Sequence, residues 1–292
     1  MSDLTAVLND GREQVPTTVM LDPFHVEVGA IPFVVPLLRD GGRVFAGGSV
    51  VLAERLRALR SGDAEQISAW CSNYFDLADA CITFEDQLKA QSDSSLLTGI
   101  RGVVGTSDGS CVAVDAAAVS RATNDDMRYF PVMDSETVSY GVGAAAVSRP
   151  VQSVVLLKYH DPYFIELSGD QFTSVAVKAV RRPDFVHGRD MEESELVSGG
   201  VIIHPVYRAL WPAELVVPLV SETFRFNREE HGCNTSMGVY LAREPQGSAK
   251  MRAFCAGRLD YWSRLVGGYG IGDDDLRLLG VVESGAAGAA KK

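Results

Sequence analysis

Valine constrains this chain more than any other feature, because 36 of its 292 residues are valine. A β-branched side chain is stiff at χ1 and sits well on a pleated surface, so a core this rich in valine is expected to be largely sheet. Local signals agree. Val103-Val104 and Val112-Ala-Val114 flank Asp108-Gly109, and Asp-Gly between two apolar runs marks a hairpin because both residues tolerate positive φ. Residues 151–180 read as a three-strand meander: VQSVVLLKY turns at Asp161-Pro162 into YFIEL, which turns at Ser168-Gly-Asp170 into FTSVAVKAV. Residues 17–38 read as short strands broken by Pro23, Pro32 and Pro36, with further strands expected at 201–207 and 238–241.

Three segments carry a helical period instead. Ser49 caps a helix holding Leu52, Leu56 and Leu59, closed near Gly62. Asp63, with Gln66 three residues on, opens a longer helix over 63–90. Its Ile67, Trp70, Cys71, Tyr74, Ala78, Cys81, Phe84 and Leu88 fall at three- and four-residue steps. A third helix is expected over 248–266, with Met251, Phe254, Cys255, Leu259, Trp262 and Leu265 on one face. The expected fold is therefore α+β: a mainly antiparallel sheet packed against the long 63–90 helix and the C-terminal helix. With 46% apolar and 22% charged residues, the span 1–283 can bury one core as a single domain. Residues 284–292, SGAAGAAKK, lack bulky side chains and are expected to form a flexible tail.

Residues 1–14 hold Asp3, Asp10 and Glu13 and no apolar h-region, so they do not read as a signal peptide. No apolar run approaches the roughly 18–20 residues of a membrane span, so no membrane partner is expected. Five cysteines, odd in number and without a CxxC pair, fit a reduced, cytoplasmic setting.

Catalytic patterns are thin. Gly105-Thr-Ser107-Asp-Gly109 matches the G-x-S-x-G nucleophile elbow, and Ser110–Ala118 could supply the supporting helix. That would make a serine hydrolase on Ser107, drawing on His204 or His231 with Asp184 or Asp190. The alternative is a plain hairpin turn. Tyr140-Gly-Val-Gly-Ala-Ala-Ala146, with Asp161 beyond it, resembles a dinucleotide fingerprint, but the strand before it is too polar and Pro150 ends the helix too soon. His231 and Cys233 lack a second pair of ligands at zinc spacing. Asp273–Asp275 lacks a calcium loop's alternation and is expected to cap a helix at Leu276–Leu279. No catalytic residue, cofactor or metal is expected.

Charge points elsewhere. The formal net charge is −11, yet residues 201–292 carry 11 basic and 10 acidic groups. An anionic partner is therefore expected on the C-terminal third. There Arg243, Lys250, Arg252, Arg258 and Arg264 interleave with Phe254, Tyr261 and Trp262. Lys250, Tyr261 and Arg264 share a helical face that could meet phosphates and stack a base. Lys178, Arg181 and Arg182 form a second basic cluster. Trp70, Phe84 and the inward-facing Arg258 suggest apolar surface beyond what one copy covers, hence self-association.

The Ala/Ser/Pro content, the end SGAAGAAKK and the opening MSDLTAVLNDGREQVP resemble the proline-alanine-serine-rich protein of polymycoviruses, double-stranded RNA viruses of fungi. The resemblance implies a virion-associated protein of the host cytoplasm that self-associates and coats viral RNA through its phosphates, with no catalytic residues. A capsid or interaction protein without RNA contact is the other non-catalytic reading.

Overall fold

The structure, a computed structural model, describes residues 24–134, 137–142, 145–149, 152–242, 247–259, 263–272 and 275–282. Strand β1 (His25–Val28) leads into α1 (Ile31–Asp40), β2 (Arg43–Phe45) and α2 (Gly48–Ser61). Helix α3 (Ala64–Cys71) is followed by β3 (Phe75–Phe84), β4 (Gln87–Gln91) and α4 (Ser95–Thr98). Next come β5 (Ile100–Thr106), β6 (Gly109–Asp115), α5 (Ala116–Ala122), β7 (Val132–Met133), β8 (Val138–Val142) and β9 (Ala145–Arg149). The hairpin of β10 (Val154–His160) and β11 (Phe164–Leu167) precedes α6 (Gly169–Ser174), β12 (Val180–Arg181), β13 (Met191–Glu192) and α7 (Glu193–Leu196). After β14 (Val197–Ser198), β15 (Val201–Ile202) and α8 (Pro205–Leu210) comes the 19-residue α9 (Ala213–His231). The chain closes with β16 (Thr235–Ser236), β17 (Val239–Leu241), β18 (Ala249–Ala256), β19 (Leu265–Gly267) and β20 (Arg277–Val282).

The main sheet runs β1-β20-β3-β18-β11-β10-β6-β5. Among the described strands its pairings are antiparallel except β20 with β3 and β17 with β19. The α+β class with a mainly antiparallel sheet therefore holds. A core lies on each face. Leu77 and Cys81 of β3 join Trp70, Trp211, Leu219 and Phe224 on one side. Ala78, Ala80 and Ile82 join Val35, Leu157, Ile165 and Met251 on the other. Alternate residues of one strand thus feed two separate cores.

That double burial corrects the 63–90 helix. Asp63 does cap a helix, its Oδ1 accepting from the backbone N–H of Glu65 (2.9 Å) and Gln66 (3.0 Å). The helix stops at Cys71, and β3 and β4 follow as a hairpin around Glu85, whose φ is 54°. A strand buried on both faces shows no polar alternation, so its apolar residues fall at helical steps by chance. The 248–266 helix fails for the same reason: β18 is buried at every position from Ala249 to Ala256.

Smaller corrections have local causes. The third meander strand, 172–180, instead starts inside helix α6, which is opened by a reciprocal capping box in which Ser168 Oγ accepts from Gln171 N and Ser168 N donates to Gln171 Oε1. Only Val180 of it lies on a strand, β12. Residues 31–40 form α1, with Pro32 at its start where no N–H is needed, rather than a broken strand. Residues 205–210 are helix α8, and Leu276–Leu279 run into strand β20 rather than a helix. Tyr140–Val142 and Ala145-Ala146 lie on paired strands β8 and β9, not in a strand–turn–helix fingerprint. The β5–β6 and β10–β11 hairpins, the end of α2 at left-handed Gly62, and β17 lie where the sequence places them. Helix α2, however, starts at Gly48 with Gly47 as its N-cap, so Ser49 lies inside it and does not cap it. The tail, 284–292, lies outside the described residues.

Candidate nucleic-acid interface

Strand β11 lies between β10 and β18, and register decides which side chains meet there. Glu166 pairs with Lys250, and Lys250 pairs with Thr83 of β3. His160 pairs with Phe164, while Ile165 opposite Met251 sets Arg252 beside Phe164 at the next step. Directly opposed residues in an antiparallel pair project from the same face. Lys158, Glu166, Lys250 and Thr83 therefore make one cross-strand row. His160, Phe164, Arg252 and Cys81 make the next.

The second row is centred on an aromatic ring. His160 stacks on Phe164 with centroids 4.6 Å apart and planes 27° from parallel. Lys250 Nζ lies 4.8 Å from the ring centroid and Arg252 Cζ 5.2 Å. Such cation–π contacts are worth about 0.5–2 kcal/mol, more as the cation loses water. Lys250 and Arg252 are only 7% exposed. Their stems cover the sheet, and their heads raise the potential around the ring. Glu166 answers part of that charge: it pairs with His160 Nε2 and lies 3.6 Å from Lys158 Nζ. Burial pushes the Glu166 carboxyl up, but hydrogen bonds from His160 and Ser248 and the charge of Lys158 hold it below the usual carboxylate value overall. Lys158, whose side chain is 58% exposed, is the outermost cation.

The other expected contacts scatter. Arg264 is claimed by Asp190 through two bonds, Nε to Oδ1 at 3.0 Å and Nη2 to Oδ2 at 3.1 Å, and its guanidinium lies 4.4 Å from the centre of the Tyr240 ring. Arg181 Nε donates to Asp86 at 3.0 Å, and Arg182 Nη2 to the Ala242 carbonyl at 2.5 Å. Lys178 is exposed beside them, and Arg258 is half-buried just past β18. Arg243 and Tyr261 lie outside the described residues. A single helical face of Lys250, Tyr261 and Arg264 does not exist, because Lys250 is on strand β18 and Arg264 just precedes β19. Lys158, His160, Phe164 and Glu166 escape a reading by charge clusters alone. Their signal is a different one: polar or aromatic residues two apart on each arm of the Asp161-Pro162 hairpin.

Two further places could carry chemistry. Ser107 sits in the exposed two-residue turn joining Thr106 to Gly109, with its Oγ 3.4 Å from Asp108 Oδ1. A strand follows it, not a helix, so the elbow geometry is absent. Asp79 is fully buried, and burial, opposed by its N–H donors, pushes its carboxyl up to about 7. A carboxylate so shifted is a candidate general base. Here its oxygens are already engaged: Oδ2 accepts from Gly48 N (2.9 Å) and Trp211 Nε1 (3.0 Å), and Oδ1 from Asp93 N (2.8 Å). It holds the start of α2 in place. Among the described residues, no three His, Cys, Asp or Glu side chains gather as a metal cage, and no helix is long and apolar enough to cross a membrane.

No family model matches the chain, and no curated protein matches it. One solved chain is similar, from the study "Accommodation of massive sequence variation in Nanoarchaeota by the C-type lectin fold". It has 11% identity and a TM-score of 0.42 over 88% of this chain and 95% of that one. A likeness at that level carries nothing about what this chain binds.

Proposed function

We propose that this chain is a self-associating, non-enzymatic structural protein that binds RNA through its phosphates at the β10–β11–β18 ladder. The observation carrying this reading is the convergence of His160, Lys250 and Arg252 around Phe164, with Lys158 in the adjacent row and Glu166 as the one carboxylate of the two rows. A local excess of positive charge on a chain of net −11 is what a polyanion would find. Viral RNA in the host cytoplasm is the partner the sequence resemblance implies, and it belongs to the proposal on that ground alone. Self-association draws on exposed apolar groups: Val201 is 60% exposed after the β14–β15 turn, and Val28 is exposed on the edge strand β1.

A second reading, an interaction protein without RNA contact, is favoured by Arg181, Arg182 and Arg264 being engaged by Asp86, Ala242 and Asp190. A mobility-shift titration with duplex RNA at two salt concentrations separates the two. The RNA reading expects a steep salt dependence. Lys158→Glu should weaken binding and make the slope shallower by about 0.9 for each phosphate the variant no longer neutralises. Glu65→Lys, on the exposed start of α3, is the control and should leave the slope alone. Failure of the wild-type chain to bind at low salt would leave the interaction protein as the reading.

A further inference from the structure

Recognition of unpaired RNA depends on flat aromatic faces, onto which splayed bases stack at about 1–3 kcal/mol each. The ladder has one ring at its centre, and that ring is covered from both flanking strands. From β10, His160 stacks on it at 4.6 Å. From β18, Lys250 Nζ and Arg252 Cζ approach to 4.8 and 5.2 Å. Because β11 runs between those two strands, the imidazole comes from one neighbouring strand and the cations from the other. A base stacking on the half-buried Phe164 would compete with these three groups for the ring. What the ladder turns to solvent is charge, chiefly Lys158.

We infer that the ladder recognises chains of phosphate groups and not nucleobases, so that inorganic polyphosphate is a ligand of the same class as RNA. This rests on the ladder being the RNA site proposed above. Phosphate oxygens need only nearby positive charge and N–H donors, which the exposed Lys158 and the potential of Lys250 and Arg252 provide, His160 Nε2 being held by Glu166. No base edge is read, so the sequence of the RNA has no effect. Duplex and single strand then differ only through charge density, with salt slopes near 0.9 and 0.7 per phosphate neutralised.

Competition with labelled RNA on the full chain tests this. Inorganic polyphosphate should displace duplex and single-stranded RNA at similar phosphate concentrations, while adenosine at millimolar concentration should displace neither. Lys158→Glu should weaken RNA and polyphosphate by the same factor. Phe164→Leu, which keeps an apolar group but removes the ring, should change both RNA forms alike. So should Tyr163→Ala, which removes the 60% exposed ring on the neighbouring turn. The inference is overturned if RNA binds but polyphosphate does not compete, or if either ring substitution costs single strands tenfold more than duplex. If Phe164→Leu does not fold, the polyphosphate arm still decides. Polyphosphate binding without any RNA binding would sink the proposed function and leave the phosphate site standing.

Discussion

Trp211 donates its indole N–H to the Asp79 carboxylate at 3.0 Å, and Gly48 N donates to the same oxygen at 2.9 Å. One buried acid thus ties the approach to α9, the first turn of α2 and the middle of β3 together. It replaces the side-chain cap that α2 lacks, since its N-cap is Gly47.

That arrangement makes stability depend on pH in an unusual direction. An unfolded aspartate titrates near 3.9, and burial lifts Asp79 to about 7. Between those values the native chain holds a proton that the unfolded chain has released, so stability from this group falls as pH rises from about 4 through 7. The full effect is on the order of 2–4 kcal/mol. His187 and His204, held below the usual imidazole value mainly by burial, act in the opposite sense, so the contribution of Asp79 is read as a difference. Between pH 5 and pH 8 the urea midpoint of the wild type should drop relative to that of Asp79→Asn. The amide also sets a donor against a backbone N–H, which costs about 1–3 kcal/mol at every pH. Equal slopes for the two proteins would show that Asp79 does not titrate in this range.

Gly48 gives the steric counterpart. Replacing a helical glycine by alanine ordinarily gains about 0.5–1 kcal/mol. Here a Cβ would lie 2.6 Å from Asp79 Oδ2 and clash with the Trp211 ring. Gly48→Ala should therefore destabilise by about 1–3 kcal/mol, read as a lower thermal midpoint. A gain would mean that Trp211 moves aside freely.

Arg264 separates a structural charge from a binding one. Its two bonds to Asp190 and its place over Tyr240 are largely shielded from water. Arg264→Glu should lower stability by about 2–4 kcal/mol, because it leaves Asp190 facing a like charge, while RNA affinity at the ladder stays unchanged. Chemical denaturation and RNA titration on the same sample distinguish the outcomes. A large loss of affinity without loss of stability would return Arg264 to the RNA site.

Ser107 offers a direct check on the absence of an elbow. It sits in an exposed turn beside Asp108, with no helix behind it, so Ser107→Ala should shift stability by less than about 0.5 kcal/mol. A fluorophosphonate probe should leave the residue unlabelled. Stoichiometric labelling would reopen the hydrolase reading.

Light scattering tests self-association independently of RNA. At micromolar concentration the mass should exceed that of the 31.4 kDa chain by a factor of at least two. A clean monomer would remove the structural-protein half of the proposal.

The parts of the fold that are legible in the sequence are those whose cause is local. Asp108-Gly109 and Asp161-Pro162 announce their hairpins, and Asp63 and Gly62 announce helix ends, because turn and cap chemistry is written in neighbouring residues. Strands β3 and β18 are not legible, because the second core that buries their other face comes from distant segments. Helix α9 is hidden by Val216-Val217 and by Pro218 inside it, although Gly232 closes it in the usual left-handed form. The site divides in the same way. Lys250 and Arg252 stand out by charge, but their partners Phe164 and Glu166 lie on another strand, and only tertiary register joins them.

One pairing described above governs how this protein can be made. Strand β1 finds its partner in β20, His25 opposite Gly280 and Val28 opposite Arg277, while Asp76 at the start of β3 accepts the Arg277 N–H at 2.8 Å. During synthesis, therefore, β1 and the start of β3 leave the ribosome long before the strand that satisfies them exists. Contacts this remote in sequence form late and slowly. The nascent chain must carry the buried face of α1 and an unpaired strand edge until β20 has emerged from the ribosome, and a ribosome stalled short of Arg277 would hold a chain unable to complete its sheet.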